Sequence, residues 1–127
     1  FQDHKVSGVG LGQYSKTYND KSLGYKSTQA KEVLGHAHNN FIHMLAENGL
    51  VGFLGFVYML GYFVWQSLKE WRYTRNPYDL MIIGMTLALL AQGLTEYNFG
   101  NSALMKTFWL LFGCLLVLKA NWRSAKN

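Results

Sequence analysis

Twenty-one consecutive residues of this chain, 48–68, carry no charged side chain (NGLVGFLGFVYMLGYFVWQSL). As an α-helix this segment would be about 31 Å long, which is close to the thickness of the hydrocarbon core of a bilayer. The segment is apolar on every face, whereas a helix on the surface of a small soluble domain needs only one apolar stripe. It therefore predicts a helix that spans a membrane.

Two further apolar segments follow. Residues 80–95 are also free of charge. Residues 107–118 are uncharged but too few to cross a bilayer, unless their helix begins near Ser102 or Ala103 and the Lys106 side chain extends to the interface. We therefore predict an all-α transmembrane fold with spans over about 49–68, 79–96 and 103–119.

The chain divides into a polar segment, 1–47, and an apolar C-terminal membrane domain, 48–127. We expect the polar segment to be a loop that ends in a short interfacial helix. Asn39 or Asn40 would cap the N-terminus of this helix, and Gly49 would end or bend it. The chain opens without a methionine or a leader segment, so we expect it to be the C-terminal piece of a longer protein.

The charges favour one orientation in a membrane and argue against nucleic acid as a partner. Net charge is +5, but the cations are spread singly or flank the apolar segments and form no patch that could follow a phosphate backbone. The loop 69–77 and the tail 119–127 together carry six lysines and arginines, against five lysines in the longer stretch 1–47. Three spans place loop and tail on one side, which the positive-inside tendency predicts to be the cytoplasm.

A polar cluster precedes the first apolar segment and contains His36, His38, Asn39, His43 and Glu47. The histidine spacing lacks the i,i+4 pair of an H-E-x-x-H site, so we predict no metal. One imidazole could instead accept a proton, because the ordinary pKa of histidine, near ~6.5, leaves the ring neutral at pH 7. The alternative is an interfacial histidine that only hydrogen-bonds a lipid headgroup or a loop carbonyl, and spacing alone favours this alternative.

Two more features leave their roles open. Glu96 ends the second apolar segment, where it is either a functional acid or an ordinary solvated acid at the membrane surface. The glycine-rich run 8–12 (GVGLG) matches neither common phosphate-loop pattern, so we expect a flexible turn there.

The spacing of His38-Asn39, nine residues, Gly49, two residues and Gly52 resembles the H-[NSQ]-x9-G-x-x-G signature of the O-antigen ligase and O-antigen polymerase superfamily. The wider string GHAHNNFIHMLAENGLVGFLGF and the loop from Gly8 to Tyr14 are also similar to that family. The resemblance covers nearly the whole chain, as the end of a periplasmic loop, the last spans and a cytoplasmic tail.

This resemblance implies a multi-pass enzyme of the bacterial inner membrane that transfers a glycan from undecaprenyl pyrophosphate to an acceptor on the periplasmic side. No metal or other cofactor is implied. A ligase would use a lipid A–core sugar as acceptor and a polymerase another repeat unit. The signature does not separate these two from each other or from the related protein-glycosylating ligases. The rival hypothesis is a non-enzymatic membrane module, in which the histidines are interface residues.

The resemblance assigns His38 the role of general base on the acceptor hydroxyl. Asn39 would orient this histidine or cap the helix, and Glu47 would be a weaker polar partner. His36 and His43 complete the set of residues expected to support the base or bind substrate.

One feature of the resembled family is missing. The resemblance implies arginines that face the periplasm and hold the donor pyrophosphate, whereas Arg72, Arg75 and Arg123 all fall on the predicted cytoplasmic side. We expect the pyrophosphate-binding arginines to lie upstream, and the 127 residues alone to be inactive.

Overall fold

A computed structural model describes residues 5–20 and 35–125. Within these ranges the chain is all-helical and contains no strand, which confirms the predicted helical class. The helices are α1 (Tyr14–Asn19), α2 (Asn40–Thr74), α3 (Pro77–Gln92) and α4 (Ser102–Ser124). The lysines at positions 21, 26, 31 and 126, which contribute to the predicted orientation, lie outside the described residues.

Two of these helices, α2 and α4, are long and apolar enough to cross a membrane. Helix α4 begins at Ser102, as its sequence predicted. Helix α3 is apolar but has only 16 residues, about 24 Å, which is less than the ~30 Å of a hydrocarbon core. The helix stops at Gln92 and the chain turns at Gly93, so α3 ends four residues before the end of the predicted span 79–96.

The chain forms two compact units. The N-terminal unit comprises the described residues up to Phe56 together with the segment 93–97. The bundle unit comprises Val57–Gln92 and the described residues from Asn98 onward. Helix α2 contributes its first part to one unit and its second part to the other.

In the N-terminal unit, α2 is interrupted at Gly49, whose backbone lies in a conformation (φ 63°, ψ −167°) that only glycine adopts readily. A break of this kind deprives the neighbouring carbonyls and amides of their partners within the helix. The backbone of the loop 5–10 satisfies them. The bonds are Val9 N–H to Ala46 O (2.9 Å), Gly10 N–H to Glu47 O (2.9 Å), Leu50 N–H to Lys5 O (2.8 Å) and Val51 N–H to Val6 O (3.4 Å). The loop, which includes the first residues of the glycine-rich run, thus supplies backbone hydrogen bonds to α2 on both sides of Gly49.

We expect Gly49→Ala to destabilise the N-terminal unit. The backbone conformation alone would cost a non-glycine residue about 1–3 kcal/mol. A Cβ atom at this position would also lie 2.2 Å from Val6 O and 2.5 Å from Gly8 N, so the loop would have to move away. The change is measured as a lower thermal unfolding midpoint in detergent and as faster amide exchange at Leu50.

Gly55→Ala is the matched control for this prediction, because Gly55 lies in the same helix and its Cβ would meet nothing within 4 Å. Alanine is the better helix former, so this variant is expected to be as stable as the wild type or slightly more stable. Equal stability of the two variants would show that the break at Gly49 is not required.

The bundle unit has a small apolar core between α3 and α4. Ile82 and Leu89 of α3 pack against Phe108 and Phe112 of α4. Phe63 of α2 joins them through an edge-to-face contact with Phe112, with ring centroids 4.8 Å apart. Three helices therefore share one core.

A buried ion cluster also joins these helices. The Nζ atom of Lys119 lies 2.7 Å from Glu70 Oε2 of α2 and 2.6 Å from Asp79 Oδ1 of α3. Arg123, one turn further along α4, pairs with Glu70 as well. Asp79 is fully buried, and Lys119 is only 8% exposed. The sequence places Lys119 among the cations that anchor a helix at the membrane surface, but in the structure it is instead the centre of a three-helix ion pair.

Candidate active site

His38 lies in the loop immediately before α2, and its side chain is 61% exposed. The Asn39 side chain caps the helix, because its Oδ1 atom accepts hydrogen bonds from the amides of Phe41 (2.9 Å) and Ile42 (3.0 Å). His38 itself has a φ of 46°, a left-handed conformation that few residues other than glycine adopt, although histidine adopts it more often than most. His38, which directly precedes the cap, is therefore held in a strained backbone conformation, and such conformations are often found at functional sites.

The segment 93–97 is tied to the start of α2 by two short hydrogen bonds. The Nδ2 atom of Asn39 donates to Leu94 O (2.7 Å), and the amide of Asn40 donates to Gly93 O (2.7 Å). Gly93 leaves room for this approach, since a Cβ there would lie 2.5 Å from the Asn40 side chain. These bonds explain why the chain leaves the helix at Gly93, and they bring Glu96 beside the His38 loop.

His38 and Glu96 form an exposed imidazole–carboxylate pair. The His38 Nδ1 atom lies 3.7 Å from Glu96 Oε2, and the two side chains are 61% and 59% exposed. A carboxylate on this side favours the tautomer that carries its proton on Nδ1, which leaves Nε2 free to accept one. The distance is longer than a hydrogen bond, as is common for catalytic contacts before substrate binds. Chemically, the pair can remove a proton from a hydroxyl group.

His36 lies in the same loop and contacts His38 through a hydrogen bond and through its ring. Its Nδ1 atom accepts a hydrogen bond from the His38 amide (3.4 Å), and the two imidazole rings lie 4.2 Å apart between centroids. The His36 ring also lies 5.6 Å from that of Tyr97. Its contacts are those of a residue that shapes the His38 backbone.

His43 and Glu47 form a second pair, which is buried. The His43 Nε2 atom lies 3.3 Å from Glu47 Oε1, and the side chains are only 5% and 6% exposed. Glu47 Oε1 also accepts a hydrogen bond from the Tyr14 amide (3.1 Å) of α1, and His43 Nδ1 accepts one from the Ala37 amide (3.4 Å). Both residues were expected to support the base or bind substrate. Because both side chains are buried, they suit the supporting role better than direct contact with a substrate.

Burial lowers the pKa of His43 below its ordinary value of 6.5, and the nearby Glu47 charge opposes part of this shift. The ring therefore stays neutral at pH 7. Because the unfolded chain takes up a proton near pH 6.5 and the folded chain only at lower pH, the N-terminal unit loses stability as the pH falls below about 6.5. The His43 ring also stacks on Tyr97, with centroids 3.6 Å apart.

Reasoning from sequence missed the partnership of Glu96 with His38. The two residues lie at opposite ends of a chain segment that includes α2 and α3, and no spacing rule connects them. The available signal was the polar patch from Glu96 to Asn98 directly after an apolar segment, which predicts an acid at the end of an apolar helix but does not indicate its partner.

Across residues 5–20 and 35–125, no three histidine, cysteine, aspartate or glutamate side chains are arranged to hold a metal ion. No family model matches this chain, and no curated protein or solved structure matches it significantly.

Proposed function

We propose that this chain is part of a bacterial inner-membrane glycosyltransferase that transfers a glycan from undecaprenyl pyrophosphate to a sugar acceptor outside the cytoplasm. The observation that carries the proposal is the exposed His38–Glu96 pair, held by a helix cap directly before a long apolar helix. The spacing of His38 to Gly49 and Gly52, which resembles the O-antigen ligase and polymerase signature, supports the same function.

In the proposed reaction, the acceptor hydroxyl oxygen attacks the anomeric carbon of the donor sugar. The bond from this carbon to the pyrophosphate oxygen breaks, and undecaprenyl pyrophosphate leaves. His38 Nε2 takes the hydroxyl proton, and the Glu96 carboxylate stabilises the imidazolium that forms. No metal or other cofactor takes part in these steps.

The proposed membrane placement follows from the apolar helices. The part of α2 after Gly49 is about 37 Å long and would cross the bilayer, as would α4. Helix α3 is shorter than the hydrocarbon core, so it would cross only if polar residues at its ends entered the bilayer or if the bilayer thinned locally. The N-terminal unit would then lie in the periplasm. The basic segment 69–77, which comprises the end of α2 and the start of α3, would lie in the cytoplasm.

The proposal is tested by reconstituting the full-length protein in vesicles with a glycan on undecaprenyl pyrophosphate. We expect transfer to a lipid A–core acceptor if the protein is a ligase, or chain extension of the donor if it is a polymerase. Either product must appear together with free undecaprenyl pyrophosphate. If neither product forms with either acceptor, the proposed ligase and polymerase activities are both wrong, as the rival hypothesis of a non-enzymatic membrane module predicts.

We expect Glu96→Gln to lower kcat for transfer by a factor on the order of ten, with little change in KM. Glutamine keeps the shape of the side chain but removes the charge that favours the Nδ1–H tautomer and stabilises the imidazolium. Glu96→Asp keeps the carboxylate and should restore part of the rate. An unchanged kcat in Glu96→Gln would remove this residue from the mechanism.

A further inference from the structure

His43 contacts the chain next to both members of the exposed pair. Its Nδ1 atom accepts the hydrogen bond of the Ala37 amide, and Ala37 directly precedes His38. Its ring stacks on Tyr97, which directly follows Glu96. A single buried side chain therefore holds the neighbour of each residue of the pair.

We propose that His43 is the positioning residue that aligns His38 with Glu96, and that protonation of its ring separates the pair. This inference rests on the proposed function, because it assigns the regulation of the same site. The proposed activity then also requires a neutral imidazole at His43, a buried residue that we do not place in contact with substrate.

The contacts around the ring explain why it must be neutral. A protonated imidazole carries hydrogen on both nitrogens, so Nδ1 could no longer accept the Ala37 N–H and would repel it. The titratable groups that face the ring are Glu47 on the same helix, Tyr14 of α1, Tyr97 of the segment 93–97 and His36 of the loop. Glu47 would hold a charged ring at Nε2, whereas the Ala37 amide would lose the acceptor that His43 Nδ1 provides within the described part of the chain.

The first experiment measures this coupling without any catalytic readout. Amide exchange at Ala37, corrected for the intrinsic rate at each pH, is followed from pH 7.5 to pH 5 in a His38→Asn background, which removes the neighbouring exposed imidazole. We expect protection to fall by about three- to tenfold, the factor for losing one hydrogen bond, with a midpoint below pH 6.5.

Two variants of His43 separate positioning from packing. Asparagine places its Oδ1 atom where His43 has Nδ1, so His43→Asn keeps the acceptor for the Ala37 amide and cannot be protonated. Glutamine reaches toward Glu47 instead, so His43→Gln loses that acceptor. Protection of Ala37 should become independent of pH in His43→Asn and be low at every pH in His43→Gln. His36→Asn is the control and should keep the pH dependence.

The second experiment compares transfer rates of the same two variants at pH 7.5, in the wild-type background. We expect His43→Gln to have the lower kcat, with similar KM values, because only the asparagine variant keeps the His38 loop in place. Equal losses in kcat, or a fall in Ala37 protection that persists in His43→Asn, would overturn the inference. If the wild type transfers no glycan, the proposed function fails, while the exchange experiment still decides the role of His43.

Discussion

His38→Asn is expected to abolish measurable glycan transfer in the full-length protein while leaving its fold and membrane insertion intact. A positioned general base contributes about 10²–10⁴ to the rate of such a reaction, and an amide cannot replace it. Asparagine tolerates a left-handed backbone better than most residues, so it suits the φ of 46° at this position. The variant therefore removes the base without adding backbone strain. His38→Ala should be equally inactive.

His36→Asn is the matched control, since it replaces the neighbouring imidazole of the same loop. It should reduce transfer far less than His38→Asn, because the His36 ring supports the loop backbone and is not the proton acceptor. Rates are compared at equal protein levels in membrane vesicles. Similar losses in the two variants would contradict the assignment of the base to His38.

Lys119→Met should destabilise the bundle unit by about 3–5 kcal/mol, the range for breaking a buried ion pair by removing one partner. Methionine fills nearly the same space, so the loss comes mainly from the Asp79 carboxylate, since Glu70 keeps its ion pair with Arg123. Asp79 is fully buried and would keep no cation within ion-pair distance among the described residues. The effect is measured as the shift in the unfolding midpoint in detergent, followed by tryptophan fluorescence.

Two further variants identify the cause of this loss. Lys119→Met combined with Asp79→Asn removes the uncompensated charge and should recover part of the stability. Lys106→Met replaces an exposed lysine of the same helix and should change stability by no more than about 0.5 kcal/mol. If the Lys119→Met protein were as stable as the Lys106→Met protein, the ion cluster would not contribute to the stability of the bundle unit.

Local patterns predicted the three apolar helices, but not α1, which lies in the segment expected to be a loop, or the extension of α2 to Thr74. The uncharged runs, the capping residue Asn39 and the break at Gly49 are all features of neighbouring residues, and the structure contains each of them. The sharing of a helical face by His43 and Glu47 follows from their i,i+4 spacing in the same way.

Contacts between distant segments were not predictable from the sequence. The end of α3 at Gln92 depends on hydrogen bonds that Gly93 and Leu94 make with the start of α2. The burial of Lys119 depends on two carboxylates from other helices, and a lysine at the end of an apolar run reads equally well as a membrane anchor. Nothing in the glycine-rich run 8–12 indicates that its backbone amides donate hydrogen bonds to carbonyls of α2.

The proposed function requires that the imidazole at position 38 lies outside the membrane, on the face where glycans are transferred. A His38→Cys variant in a cysteine-free background, in which Cys114 is also replaced, tests this placement. A thiol reagent that does not cross the membrane is applied from one side at a time. We expect labelling from the periplasmic side only. Labelling from the cytoplasmic side only would place the base in the wrong compartment and contradict the proposed function.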